Sequence, residues 1–263
     1  MAEIARHNFT QRQTLPPRFA GAVFWEKKGI PMELVPIAYI HTAFPEKFGI
    51  PRQSGLVMQA RGEIVFTEPY RDPQALRGIE AYSHLWLIFG FSKVENRGFQ
   101  PTVRPPRLGG NTRMGVFATR SPYRPNPLGL SCVGLREVRE VPGKGTVLLV
   151  DGVDLLDQTP IYDIKPYLRI ADCHPDAVCG FAEKTEAYCL PVSIPAEIAR
   201  LLPAQDLEAI RALLAQDPRP AYQEDPARVY GMRYGIWEVF FTVDTAVQVC
   251  RIEKRGESAT NSF

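Results

Sequence analysis

The sequence predicts a mainly β fold, a barrel or a sandwich, followed by a small α+β part at the carboxyl end. Strand-length runs of apolar, aromatic and β-branched residues succeed one another at close spacing, with few helices between them. Glycine and proline separate these runs, and helical periodicity is found only after residue 190. This order disfavours an alternating array of strands and helices.

The predicted strands cover residues 35–44, 56–59, 64–66, 84–91, 114–119, 128–135 and 146–155. Segments 56–59 and 64–66 flank Arg61-Gly62, so they are expected to form a hairpin. Segment 84–91 is a continuous apolar run, which is typical of a strand buried on both faces. Residues 76–81 are predicted to form a short helical turn.

Helix is predicted in the last third of the chain. Pro195 suits the first turn of a helix that runs to about Leu202, with Ser193 as its cap. An apolar stripe at helical spacing follows, at residues 207, 210, 213 and 214. Residues 230–243 and 246–252 predict a terminal hairpin that turns at Asp244-Thr245. We therefore divide the chain into a flexible extension (1–31), a β-rich domain (32–190), an α+β domain (191–255) and a disordered tail (256–263).

Composition excludes several classes of protein. The 263-residue chain is 45% hydrophobic and 23% charged, as globular proteins are. Its longest apolar run, 85–91, is too short to span a bilayer. The five cysteines show no spacing typical of a disulfide framework, so we expect a reducing cytoplasm. Cys173, His174 and Cys179 lack a second ligand pair, so we expect no metal site.

The positive charge is concentrated in one segment. Residues 97–136 contain seven arginines (97, 104, 107, 113, 120, 124 and 136) and no lysine, aspartate or glutamate. Prolines at 101, 105, 106, 122, 125 and 127 fix the backbone and remove its donors, so recognition falls to the guanidinium groups. These groups bind phosphates bidentately and stack on bases. The segment favours an anionic ligand or RNA over a set of solvated charges.

Six motifs carry a family resemblance: IPRQSGLV (50–57), AYSHLWLIF (81–89), RPPRLGG (104–110), GVFATRSPYRPNPLGLS (115–131), DLLDQTPIYDIKPYL (154–168) and QDPRPAY (216–222). Together they resemble the TsaA-like family, whose bacterial members are the TrmO tRNA methyltransferases. The resemblance implies a homodimeric β-barrel that binds S-adenosylmethionine without a Rossmann fold, in the domain 32–190. The implied reaction is methylation of N6 of N6-threonylcarbamoyladenosine at position 37 of threonine tRNA, beside the anticodon.

Matched to the family's motifs, the cofactor-binding residues are Pro51, Arg52, Gln53, Ser92, Lys93, Arg120, Leu130, Asp157, Gln158, Thr159 and Pro160. Arg52 or Arg120 suits the cofactor carboxylate, Asp157 its ammonium or ribose, and Leu130 its adenine. The alternatives are a surface charge for Arg52, barrel core for Leu130 and a turn residue for Asp157. Relatives often have glycine at the position of Gln158, and glutamine removes a permissive backbone position.

The methyl-transfer reaction that the resemblance implies requires catalytic residues. Methyl transfer from a sulfonium is an in-line displacement, but the N6 lone pair of this nucleoside is delocalised into a carbonyl, so we expect a base or a polarising group. Asp163, Lys165 and Tyr167 are candidates, because strand alternation places them on one face. The alternative is a structural ion pair between Asp163 and Lys165. His84 is expected to be a buried structural histidine.

Six residues are candidates for tRNA binding: Arg104, Arg107, Arg113, Tyr123, Arg124 and Asn126. An anticodon loop offers unstacked bases to guanidinium and aromatic groups, and the target base must leave the stack to react. Two other functions remain open. A non-catalytic RNA-binding barrel would not bind S-adenosylmethionine, and a small-molecule enzyme with an anionic substrate would not need tRNA.

Overall fold

The computed structural model describes residues 23–27, 30–94, 98–105, 112–185, 189–219, 223 and 225–255. The chain falls into two compact units, residues 1–35 and 36–263. In the first unit, strand β1 (Val23–Lys27) pairs antiparallel with β2 (Ile30–Leu34). Part of the expected flexible extension is therefore a strand pair, while residues 1–22 and the expected tail 256–263 lie outside the described residues.

The second unit contains, in chain order, β3 (Ala38–Thr42), β4 (Arg61–Phe66), β5 (His84–Gly90), β6 (Thr102–Val103), β7 (Met114–Gly115), β8 (Leu128–Val141), β9 (Gly145–Asp151), β10 (Thr159–Pro166), the helical turn α1 (Arg169–Asp172), β11 (Val192–Ser193), α2 (Ala196–Ala199), α3 (Ala204–Ala215), β12 (Tyr230–Tyr234), β13 (Trp237–Val243) and β14 (Val247–Lys254). Within the described ranges, no helix is long and apolar enough to cross a membrane.

Six of these strands close into a barrel in the order β10-β3-β4-β9-β8-β5. Each neighbouring pair is antiparallel. Closure pairs every strand of this sheet on both sides and so removes its edges. The predicted mainly β fold is confirmed, and the structure selects the barrel over the sandwich.

The barrel interior is filled by alternate residues of its strands. Ile40, Ile64, Leu87 and Leu148 are fully buried. The expectation that segment 84–91 is buried on both faces is wrong, because its alternate residues point outward and are partly or fully exposed. His84 is likewise exposed rather than buried, with its Nδ1 atom 2.9 Å from the Ser83 hydroxyl.

Several predicted strands have different bounds. Residues 56–59 form turns instead of a hairpin arm, because the amide of Gly55 donates to the carbonyl of Gly152 and leaves β4 to pair with β3 and β9. In segment 114–119 only two residues form a strand, and a 3-10 turn (Val116–Ala118) follows. Strand β8 continues past Leu135 through a bulge and ends at Val141.

The carboxyl-terminal sheet has the strand order β11-β14-β13-β12. Helix α3 confirms the predicted apolar stripe, since Ile210, Leu213 and Leu214 are buried. Ser193 lies in β11 and does not cap α2, whose preceding residue is Pro195, so the predicted cap is wrong. Segment 230–243 forms two strands instead of one, because the chain turns at Gly235 with φ 55°.

This sheet packs on the loop that follows β3. The amide of Gly235 donates to the carbonyl of Ala43 at 2.7 Å, and the rings of Phe44 and Tyr234 meet edge to face at 5.8 Å. Gly49 has φ +90°, and a Cβ atom there would lie 2.4 Å from the Met232 side chain. Only glycine fits this contact, which brings the carboxyl-terminal sheet against the segment that leads into the PRQ motif.

Candidate cofactor-binding and catalytic site

The PRQ loop is fastened to the carboxyl-terminal domain. Nη2 of Arg52 donates to the carbonyl of Asp217 at 2.7 Å and to that of Arg219 at 3.4 Å. Arg52 is half-buried, so the alternative of a simple surface charge is wrong. Because one guanidinium nitrogen is engaged here, Arg52 positions the loop that carries Gln53.

The anchor for Arg52 is a buried ion pair within the QDPRPAY motif. Nε and Nη2 of Arg219 donate to the two carboxylate oxygens of Asp217 at 2.9 and 3.0 Å. The side chains are 12% and 10% exposed. Nη1 of Arg219 also donates to the carbonyl of Val243 at 3.3 Å. The bidentate pair fixes residues 217–219, whose carbonyls at 217 and 219 accept from Arg52, and Nη1 of Arg219 connects them to β13.

Arg120 and Gln53 meet although they lie far apart in the sequence. Nη1 of Arg120 donates to Oε1 of Gln53 at 2.5 Å. Both side chains are exposed, and Nε2 of Gln53 donates to the carbonyl of Arg52 at 2.6 Å. Two of the predicted cofactor segments, PRQ and ATR, are thus joined by one hydrogen bond, with a guanidinium group at the surface.

Asp154 is a polar residue of this site that the sequence pattern did not single out. Its carboxylate accepts a hydrogen bond from the hydroxyl of buried Ser131 at 2.6 Å. Burial raises the pKa of Asp154, and hydrogen bonds from Ser131 and the Ser54 backbone and the charge of Arg120 oppose this rise. The available signal was its place in DLLDQTP, where an acid precedes two leucines. Asp154 links the PRQ loop, β8 and Arg120.

The turn from Asp157 to Pro160 connects to the end of β3. Oδ1 of Asp157 accepts from the amide of Thr42 at 3.0 Å, and the Asp157 amide donates to the carbonyl of Phe44 at 2.9 Å. The hydroxyl of buried Thr159 donates to the carbonyl of Leu156 at 2.8 Å. These contacts agree with the alternative interpretation of Asp157 as a turn residue, and its second carboxylate oxygen is the one to consider for a ligand.

Gln158 occupies the left-handed region with φ 63°, the conformation that glycine adopts without strain. We expect Gln158→Val to lower the free energy of unfolding by about 1–2 kcal/mol, because a β-branched residue fits this region poorly. Gln158→Gly is expected to cause no such loss. Chemical denaturation of both variants tests this, and equal destabilisation by valine and glycine would contradict the assignment of strain to the backbone.

Leu130, Ile88 and Asp163 lie in one row on the outer face of the barrel. Ile88 is directly opposite Leu130 on β8 and Asp163 on β10. Leu130 is 49% exposed, so the alternative of barrel core is wrong for this residue. The row therefore brings a predicted cofactor residue close to a predicted catalytic residue.

The other four predicted cofactor residues are Ser92, Lys93, Pro51 and Pro160. Ser92 and Lys93 are exposed, and Nζ of Lys93 donates to the carbonyl of Pro45 at 3.2 Å. Pro51 is buried, and Pro160 lies opposite Tyr39 in the barrel. The Lys93 contact connects the end of β5 to the loop that follows β3, which is the loop that continues into PRQ.

Two of the three predicted catalytic residues form an ion pair. Nζ of Lys165 lies 2.8 Å from Oδ2 of Asp163, with both side chains largely exposed. Tyr167 lies one residue beyond β10, and its ring lies 5.9 Å from that of Trp86 and 6.1 Å from that of His84. Desolvation, followed by neighbouring Cys173, raises the pKa of Tyr167. At neutral pH this phenol is a hydrogen-bond donor and not a base.

The predicted tRNA-binding residues differ in their surroundings. Arg104, Arg113 and Asn126 are exposed, and Nη1 of Arg113 donates to the Thr102 hydroxyl at 3.1 Å. Nη1 of Arg124 donates to the carbonyls of residues 116 and 119 at 3.1 and 2.6 Å, so this residue holds its own loop together. Tyr123 is half-buried, and Arg107 lies outside the described residues.

In the ranges that the structure describes, no group of three or more acidic, histidine or cysteine side chains is placed to hold a metal ion.

Fold and site together define a β-barrel protein whose PRQ, ATR and DLLDQTP segments meet at one side of the barrel. The chain belongs to the tRNA-methyltransferase O family. The family's N-terminal domain model matches residues 39–173, and its C-terminal domain model matches residues 183–255.

Individual relatives agree with this membership. The chain is 46% identical over 231 residues to a tRNA (adenine(37)-N6)-methyltransferase of Escherichia coli (strain K12), covering 83% of this chain and 97% of that protein. It is 42% identical over 216 residues to a putative S-adenosylmethionine-dependent methyltransferase of Pseudomonas aeruginosa, covering 78% and 88%. The crystal structure of TrmO from Pseudomonas aeruginosa superposes with a TM-score of 0.66 at 35% identity, covering 83% and 97%.

Proposed function

We propose that this protein transfers the methyl group of S-adenosylmethionine to N6 of N6-threonylcarbamoyladenosine at position 37 of threonine tRNA. As a family member, it is an S-adenosylmethionine-dependent tRNA (adenine-N6)-methyltransferase that acts on adenine 37. The threonylcarbamoyl group is the finer part of the proposal. The observation that carries the site assignment is the 2.5 Å hydrogen bond between Arg120 and Gln53, which joins two predicted cofactor motifs beside half-buried Asp154.

The residues at this site fit the chemical groups of the cofactor. The exposed guanidinium of Arg120 suits the carboxylate, and half-exposed Leu130 offers an apolar surface for the adenine. The second carboxylate oxygen of Asp157 suits the ammonium or a ribose hydroxyl. Gln53, held between the Arg52 carbonyl and Arg120, presents an already oriented amide. Polar groups that are fixed before binding lose little entropy when the ligand arrives.

When bound, S-adenosylmethionine supplies a methyl group on a positively charged sulfur. The protein's task is to hold N6 in line with that methyl group and to exclude water. We assign Asp163 the role of accepting the N6 proton as the carbon–nitrogen bond forms and the carbon–sulfur bond breaks. Lys165 pairs with this carboxylate and orients it, and Tyr167 donates a hydrogen bond to the ureido oxygen of the acceptor. These roles place the reaction on the outer face of the barrel, at the row formed by Leu130, Ile88 and Asp163.

Removal of the proposed base is expected to lower the methylation rate by about a hundredfold or more, because general-base assistance contributes on this scale. We expect this loss for Asp163→Asn and a smaller loss for Tyr167→Phe, both with unchanged S-adenosylmethionine affinity. Glu253→Gln removes an acid from another exposed ion pair and is the matched control. Single-turnover methylation at saturating tRNA measures the effect, and wild-type rates in both variants would sink the assignment.

The substrate is tested with radiolabelled S-adenosylmethionine and two preparations of threonine tRNA, one threonylcarbamoylated and one unmodified at position 37. We expect label to enter only the threonylcarbamoylated tRNA. A tRNA with guanosine at position 37 controls for labelling elsewhere. Equal labelling of the first two preparations, or labelling of neither, contradicts the threonylcarbamoyl substrate.

The family resemblance also leads us to propose a homodimer, which analytical ultracentrifugation measures directly. All five cysteines are free, and four of them are exposed, which fits a reducing cytoplasm.

Arg104, Arg113 and Asn126 are proposed to contact the anticodon loop of the tRNA, since they are exposed within a segment without acidic residues.

A further inference from the structure

Two phenylalanine side chains are exposed side by side in the arginine-rich segment. Phe117 is 70% exposed and Phe99 is 49% exposed. Their rings stack with centroids 6.3 Å apart and an angle of 26° between planes. The guanidinium carbon of Arg124 lies 5.5 Å from the centroid of the Phe117 ring. An exposed pair of stacked aromatic rings beside a guanidinium group is typical of a ligand-binding surface.

The backbone under the two rings is firmly held. Buried Val116 anchors the 3-10 turn that carries Phe117, and its amide donates to the carbonyl of Pro101 at 3.0 Å. Beside Phe99, the amide of Gln100 donates to the carbonyl of Tyr123 at 3.1 Å. The guanidinium of Arg124 donates to two carbonyls of the same turn. The exposure of the rings is therefore a feature of an ordered loop, and the pair is preorganised for a ligand.

The charge around the pair specifies the kind of ligand. No acidic residue occurs between positions 97 and 136, and Arg104 and Arg113 are exposed on the same segment. A ligand that offers both a flat π face and negative charge is a nucleotide of single-stranded RNA. Phe117 also lies three residues before Arg120, on the loop that we assign to the cofactor. The surface is thus close in the chain to the proposed methyl donor.

We propose that Phe117 and Phe99 form a stacking platform for an unstacked base of the tRNA anticodon loop, next to the nucleoside that is methylated. This inference rests on the proposed function, since it identifies how the same site recognises its RNA. Stacking on an aromatic ring does not depend on base identity. The platform therefore supplies affinity and orientation, while the contacts to the modified adenosine itself supply specificity.

The test is RNA binding by Phe117→Ala and Phe99→Ala, with Tyr70→Ala as a matched exposed aromatic outside the segment. The probe is a fluorescein-labelled anticodon stem–loop without the threonylcarbamoyl group, followed by fluorescence anisotropy. We expect each phenylalanine variant to weaken binding by about tenfold to a hundredfold. Tyr70→Ala is expected to match the wild type. S-adenosylmethionine affinity and thermal stability are expected to be unchanged in all three.

Two further measurements identify stacking as the cause. Phe117→Trp is expected to keep RNA affinity, whereas Phe117→Leu, which is apolar but has no ring, is expected to lose it. The slope of log Kd against log salt concentration is expected to stay at the wild-type value, because no phosphate contact is removed. A reduced slope in Phe117→Ala would contradict stacking.

Other outcomes separate this inference from the proposed function. Unchanged affinity in both alanine variants overturns the platform. Conversion of the variants to monomers in ultracentrifugation, with unchanged RNA binding, also overturns it and identifies the pair as a contact between copies of the chain. If the wild type binds the stem–loop through both rings but labels neither threonine tRNA, the platform stands and the proposed substrate fails.

Discussion

Replacement of Asp217 by alanine is expected to lower the free energy of unfolding by about 3–5 kcal/mol. The substitution leaves the guanidinium of Arg219 in a site where it is largely shielded from water, without its bidentate carboxylate partner. Asp217 also has φ 47°, a conformation that alanine adopts less readily than aspartate. Urea unfolding followed by intrinsic fluorescence measures the effect, together with an expected fall in Tm of about 10 °C.

The matched control is Glu253→Ala, which breaks the exposed pair with Arg251. The two side chains are 53% and 62% exposed, so we expect a loss of less than about 1 kcal/mol. Asp217→Asn distinguishes loss of the ion pair from backbone strain as the cause of destabilisation, because asparagine tolerates the left-handed backbone but carries no charge. A loss in Asp217→Ala no larger than that of the control would contradict the anchoring role of the pair.

The same substitution has a second expected effect, on the cofactor site. The carbonyl of Asp217 accepts the hydrogen bond from Arg52, and Arg52 lies directly before Gln53. Loosening of residues 217–219 therefore frees the PRQ loop, and S-adenosylmethionine affinity is expected to fall in Asp217→Ala but not in Glu253→Ala. Isothermal titration calorimetry below the unfolding transition of each variant measures this difference.

Replacement of Arg120 by alanine is expected to weaken S-adenosylmethionine binding by about tenfold to a hundredfold. A hydrogen bond to a charged group contributes about 1.5–3 kcal/mol, and the substitution removes both the proposed carboxylate contact and the bond to Gln53. Arg120→Lys keeps the charge but not the planar fork, so an intermediate affinity is expected. Calorimetric titration of the cofactor without tRNA isolates this effect from RNA binding.

Arg77→Ala serves as the control, because Arg77 is an exposed arginine outside the charged segment. Asp154→Asn is the companion variant within the site. It keeps an acceptor for the Ser131 hydroxyl but removes the charge near Arg120, so a smaller loss is expected. Cofactor affinity of Arg120→Ala within twofold of the Arg77→Ala value would contradict the assignment of Arg120 to the carboxylate.

The sequence by itself determined the features that depend on neighbours along the chain. Composition and alternation located most barrel strands, and helical spacing located the buried face of α3. Long local motifs identified the family. Each of these signals lies within a window of a few residues, where side-chain period and backbone preference are fixed by local sterics.

Only the tertiary structure decided which residues meet. Pairing of β10 with β3 and β5 closes the barrel and places Asp163 and Leu130 on either side of Ile88. The hydrogen bond between Ser131 and half-buried Asp154 and the bond that Arg52 donates to Asp217 likewise join segments that are separate in the sequence. The PRQ and ATR motifs are separate in the sequence, and the folded chain joins them through Gln53 and Arg120. Burial and cross-strand contact depend on long-range pairing, which no local pattern encodes.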